Sequence, residues 1–216
     1  MPDENLKFVQ EEAKRLTDEN RDLRVALSAL QESVRALSEL YLLAQEVDSD
    51  TNIMRLLTGI LDSALEVLKA SDGSLLLIDE ETGELVFTVV RGEKSEELVG
   101  YRLAKGQGIA GWVTDNRQPQ IVLDVRRDSR FFANVDEAFH FKTRSMVCVP
   151  VYLDESRVMG VIEVLNKVSD REFTQDDLNL MLVVAQLAAV AIHRAERALT
   201  PPKDHRAKTA RSRKKR

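Results

Sequence analysis

Cysteine is almost missing from this 216-residue chain: Cys148 stands alone. One thiol closes no intramolecular disulfide and supplies no cysteine-rich zinc site. That scarcity suits a reducing compartment. No continuous apolar run approaches the ~18–20 residues of a membrane-spanning helix. The charged N-terminus, MPDENLKFVQEEAKR, lacks the apolar centre of a signal peptide. The expectation is therefore a cytoplasmic chain without a transmembrane segment. Aromatic residues are only 5 %, with one Trp, three Tyr and seven Phe. Proline and glycine are absent from residues 3 to 58, so nothing there interrupts a helix. A general excess of positive charge is absent too. The net charge is −5, which excludes a uniformly basic nucleic-acid-binding domain.

The charge that is present is unevenly placed. Residues 201–216 carry eight Lys or Arg against one acid, Asp204, whereas residues 1–200 carry 23 basic and 35 acidic side chains. The tail shows no apolar periodicity and reads as disordered. Its run Arg211-Ser212-Arg213-Lys214-Lys215-Arg216 suits phosphates on nucleic acid or an anionic surface. The alternative is a solubilising end, since no aromatic is interleaved for base stacking.

A heptad pattern occupies the proline-free segment. With Leu6 at position a, the a positions are Leu6, Ala13, Asn20, Leu27, Val34 and Tyr41; the d positions are Val9, Leu16, Leu23, Leu30, Leu37 and Ala44. Eleven of the twelve are apolar or aromatic, and six heptads predict a coiled coil. Asn20 finds an amide partner when two chains run parallel and in register, and Glu19 with Arg24 can pair between them. The expectation is a parallel homodimer through residues 6–44; the alternative is a long helix packed on its own domain.

Downstream, the 3.6-residue spacing of Ile53, Leu56, Leu57, Ile60, Leu61, Ala64, Leu65 and Leu68 predicts an amphipathic helix over residues 51–69, ended by Ser71-Asp72-Gly73. The run SLLLIDEETGELVFTVVRG predicts a hairpin around a Glu-Glu-Thr-Gly turn. A short strand at 101–103, a helix at 109–116, a strand at 120–124, a helix at 130–141 and β-rich runs at 145–152 and 158–168 follow. Thr174 and Asp177 start a last helix with a capping box, and Pro201-Pro202 end it. The fold class is α+β: an antiparallel sheet of about six strands with helices on one face and a lid-like set on the other. Three segments result: residues 1–49 coiled coil, 50–199 the α+β domain, 200–216 the basic tail.

Three stretches resemble the GAF family. They are Gly106-Gln107-Gly108-Ile109-Ala110-Gly111-Trp112, Phe141 to Pro150, and Gly160-Val161-Ile162-Glu163-Val164-Leu165-Asn166-Lys167 followed by Phe173 and Asp177. The resemblance implies a small-molecule sensing and dimerisation module. Its members bind cyclic nucleotides, bilins, haem, other small ligands or nothing, so no cofactor is named. In cyclic-nucleotide binders an Asn-Lys … Phe-x-x-x-Asp-Glu signature is typical. Here Leu178 replaces its last Glu, and Lys167 with Asp177 reads as a clasp between strand and helix.

The resemblance also implies a pocket of Ser74, Ala110, Phe132, Asp136, Thr143 and Glu163, with Phe139 where relatives place a hydroxyl. That phenyl either fills the pocket or offers a second stacking face. A cyclic nucleotide or similar purine, another small ligand, and no ligand all stay open. Cys148 lacks the neighbouring His of a bilin attachment site, and one cysteine cannot run the disulfide cycle of GAF-type methionine sulfoxide reductases. His140 could ligate haem iron, but His193 and His205 have no ligand partner at metal spacing. No nucleophile–base set is visible. The reading is a non-enzymatic sensor acting on a separate effector, with a ligand-free adaptor as its rival.

Overall fold

The computed structural model describes residues 11–21, 24, 53–93, 95–153, 157–168 and 171–199. The chain divides into two units, Met1–Leu42 and Leu43–Arg216. In the first, residues 11–21 are helical, held locally by the Arg15–Glu12 ion pair and by Thr17 Oγ1 donating to Ala13 O at 2.7 Å. The heptad positions Ala13, Leu16 and Asn20 are exposed, Leu16 to 52 %. The other heptad positions and the basic tail lie outside the described residues.

In the second unit, the apolar stripe read from the sequence forms α1 (Ile53–Leu68), burying Leu56, Leu57, Ile60, Leu61, Ala64 and Leu68. Strand β1 (Ala70–Ile78) begins almost at once; Ser71-Asp72-Gly73 is already paired in the sheet rather than forming a separate turn. The predicted hairpin closes with β2 (Leu85–Arg91). Its tip is set by Gly83 at φ 74°, while Asp79 Oδ1 accepts from Glu81 N and Thr82 N. Then come α2 (Ser95–Leu98), β3 (Arg102–Leu103), α3 (Gly108–Asn116) and β4 (Gln120–Val122). A 3-10 turn, Val125–Arg127, follows with Asp124 capping Arg126 N.

The predicted helix over 130–141 is corrected: only α4 (Asn134–Ala138) forms. Asp128 takes Arg130 by both side chain and backbone, fixing a turn ahead of it, and His140 at φ 52° breaks the chain after it. Strands β5 (Met146–Tyr152) and β6 (Val158–Lys167) and helix α5 (Gln175–Leu199) complete the unit. Thr174 Oγ1 accepts from Asp177 N at 3.3 Å and Asp177 Oδ2 accepts from Thr174 N at 2.7 Å, the reciprocal capping box the sequence predicts.

The six strands form one antiparallel sheet in the order β3-β2-β1-β6-β5-β4. Helices α1 and α5 pack on each other and cover one face, where Leu75, Val147, Val149, Ile162 and Val164 are buried. Gln175–Arg197 is long and apolar enough to cross a membrane, by length and composition only. Half of it is buried in this domain, against β5 and α1, so core packing accounts for its apolarity. The opposite face carries Leu76, Phe87, Met146, Cys148 and Val161, closed over by α3 and the segment around α4.

Candidate functional site

Strand alternation aims β1 residues 72, 74 and 76 and β6 residues 161, 163 and 165 at the second face. There a partly open cavity of about 100 Å³ lies between the sheet, the first turn of α3 and the segment around α4. Six of the seven predicted residues line it: Ser74, Ala110, Phe132, Asp136, Thr143 and Glu163. Phe139 does not. Its ring meets Tyr101 edge-on at 5.3 Å, so the expectation that it plugs the cavity or stacks on a ligand is corrected. Phe139 follows the five-residue α4 as its C-cap, beyond the helical positions that carry Asp136.

Two polar pairs stand in the wall. Ser74 Oγ donates to Glu163 Oε1 at 2.6 Å, as cross-strand neighbours in the β1–β6 register. Asp136 accepts from Thr143 N at 2.8 Å and from Thr143 Oγ1 at 2.7 Å, pinning the 139–145 loop to α4. Burial pushes the Glu163 carboxyl up from 4.5 to about 7; the Ser74 hydroxyl opposes that rise and the charge of Asp136 adds to it. Cys148, the Glu163 neighbour on β5, is fully enclosed. Burial first, then the charge of Glu163, push its thiol well up, against the pull of Arg130, so it is an inert core side chain.

The cavity has further lining residues besides these six. Phe87, Phe131 and Phe141 join Phe132, so four of the seven phenylalanines surround this space. Arg91 also reaches it, held from α1 by Asp62 through Nε at 2.5 Å and Nη2 at 3.2 Å. Gly108, Ile109 and Ala110 bring in the open N-terminal turn of α3. His140 is not in the lining, and among the described residues no cluster of three or more His, Cys, Asp or Glu could hold a metal.

Outside the cavity, Lys167 Nζ meets Asp177 Oδ2 at 2.6 Å and lies 5.4 Å from the centre of the Phe173 ring. The predicted clasp between β6 and α5 is therefore present. Asn166, beside it, is buried at φ 53°. Its Oδ1 accepts from Arg144 N at 2.8 Å and its Nδ2 donates to Lys142 O at 3.1 Å. It thus holds the loop on both sides of Thr143.

A family model described as GAF domain matches residues 50–193. The chain belongs to the GAF domain family. Among curated relatives, a dual 3',5'-cyclic-AMP and -GMP phosphodiesterase 11 of Drosophila melanogaster is 25 % identical over 167 residues, covering 71 % of this chain and 12 % of that protein. A dual 3',5'-cyclic-AMP and -GMP phosphodiesterase 11A of Takifugu rubripes is 30 % identical over 92 residues, covering 42 % and 10 %. The match thus spans only a small part of these relatives' own length. The GAF domain of a Coxiella burnetii phosphoenolpyruvate-protein phosphotransferase shares the fold at TM-score 0.65 and 18 % identity, over 78 % of this chain and 97 % of that one. So does a free methionine-R-sulfoxide reductase of Neisseria meningitidis, at TM-score 0.59 and 20 % identity, over 77 % and 90 %. Sequence thus ties this GAF domain to those of cyclic nucleotide phosphodiesterases.

Proposed function

We propose that this chain is a non-enzymatic GAF sensor whose cavity takes a small planar molecule and whose helices α1 and α5 pass the event to a separate effector. The observation that carries this reading is the cavity itself, lined by four phenylalanines beside a polar floor of Ser74 and Glu163. Planar rings bury well against aromatic side chains, and a few fixed polar groups select among them. The cyclic nucleotides named in the relatives' descriptions are the first ligands to test. A self-filled adaptor would need Phe139 in the cavity, and that ring packs on Tyr101 instead. Buried Cys148 favours the non-enzymatic reading over a thiol redox cycle.

The heptads over residues 6–44 support pairing of two chains in parallel, and the basic tail suits an anionic partner. Thermal unfolding of the purified chain against cyclic AMP, cyclic GMP, nucleosides and free purine bases tests the sensor. Saturable stabilisation by one class is expected. A flat response to all of them removes the reading.

A further inference from the structure

Glu163 is the cavity carboxyl group with one oxygen that no described donor reaches. Both oxygens of Asp136 are taken by Thr143. Asp72 on β1 accepts from Ser71 Oγ and from Glu93 N. Glu163 Oε1 is taken by Ser74, but Oε2 has no partner among the described residues and is not sealed from the cavity. The charged and titratable groups around it are Asp72 on β1, Asp136 on α4, Arg91 on β2 already held by Asp62, and the neutral Cys148 thiol on β5. Three carboxyl groups thus face a single, paired guanidinium. An anionic group set against Glu163 itself would add like charge there without a free cation beside it.

We propose that the cavity is a proton-linked receptor for small planar molecules that present an N–H donor edge to Glu163 Oε2, and that it rejects molecules whose edge at that atom is anionic. This rests on the sensor reading of the same cavity and names its ligand class. When the cavity is empty, burial keeps the proton on Glu163 up to about pH 7. A donor edge favours the ionised form, so binding expels that proton. Affinity then rises about tenfold between pH 6 and pH 8, because the ionised fraction of the free protein does.

Benzamidine, benzamide and benzoate share one ring and differ in the edge they present, so they serve as probes. Titration calorimetry on the full chain should show benzamidine binding about tenfold more tightly at pH 8 than at pH 6, and benzoate not binding at matched concentrations. Glu163→Gln should abolish both the pH dependence and the preference for benzamidine. Should that variant fail to fold, carbon-13 carboxyl spectra of the unaltered protein decide: benzamidine must lower the pH at which Glu163 titrates. Equal benzamidine affinity at the two pH values, benzoate binding as tight as benzamidine, an unmoved Glu163 titration, or binding of none of the three overturns the proposal. A chain stabilised by nucleotides or purines yet indifferent to this series keeps the sensor reading and loses this one.

Discussion

Glu163 sits in a row of side chains that crosses the sheet: Val90 on β2, Ser74 on β1, Glu163 on β6, Cys148 on β5 and Gln120 on β4, each opposite the next in register. Such a row places one carboxyl between a hydroxyl and a thiol, with apolar residues around it. The cost of ionising it there is felt in folding. The unfolded chain releases this proton near 4.5 and the folded chain near 7, so the folded state holds more protons in between. Stability falls as pH rises through that window and the full penalty remains above it. Glu163→Gln removes the penalty, so the variant should gain on the unaltered protein by about 3 kcal/mol between pH 4.5 and pH 8. Urea unfolding across that range measures it, and parallel curves for the two proteins would refute it. Two glycines of this sheet have steric work instead: a Cβ at Gly73 would come within 2.8 Å of Glu163 O, and one at Gly160 would strike the carbonyl of Leu76.

At the scale of elements, the end of β6 is a two-sided clamp. Asn166 holds the cavity loop through Lys142 and Arg144, and Lys167 holds the start of α5 through Asp177. Neighbouring residues thus grip the wall of the site and the helix proposed to carry its signal. Replacing Asn166 by Ala removes two side-chain hydrogen bonds and keeps a Cβ at positive φ, so a loss of about 2 kcal/mol is expected. Asn166→Gly restores the backbone freedom and should recover about 1 kcal/mol of it. Chemical denaturation of both variants separates the two effects; equal losses would mean that the backbone carries no strain. Lys167→Met leaves the Asp177 charge, in a mostly covered position, with only its Thr174 hydrogen bonds and should cost about 2 kcal/mol, less than for a fully buried pair because both groups keep some solvent. A double-mutant cycle with Asp177→Asn reads the pair directly, and additivity would show the clasp to be inert.

At the scale of the whole molecule, the heptads over residues 6–44 bear on how many chains act together. Leu16, a d position of the predicted heptads, lies 52 % exposed. A second chain in parallel would cover it and give Asn20 its amide partner. Sedimentation equilibrium of the full chain should return a dimer at micromolar concentration; a monomer there ends the parallel-pair proposal. The two ends of the chain also differ sharply in charge, with the basic residues concentrated after Pro201. Binding through that end should weaken steeply with added salt, as contacts with an anionic partner release counterions.

What the amino-acid order by itself determined is the layer plan. Period-3.6 stripes marked α1 and α5, β-rich runs and turn residues marked the central strands, and the Thr174–Asp177 box marked where α5 starts. These signals are local, arising from groups a few residues apart, so they survive without a tertiary context. Six of the seven residues proposed through the family's motifs do line the cavity, because strand alternation and a glycine turn transfer with those motifs.

Only the tertiary structure decided which aromatics surround the cavity. A bulge at Thr88 shifts the register between Leu75 and Leu76, so Phe87 and Val90, which strict alternation would put on opposite faces, line the same space. The short α4 turns Phe139 to Tyr101 and leaves Phe131, Phe132 and Phe141 at the wall. Arg91 was invisible as a lining residue because its partner, Asp62, lies on another element 29 positions away. Faces set by a bulge, a helix end or a distant ion pair depend on where the chain returns in space, and no local periodicity encodes that.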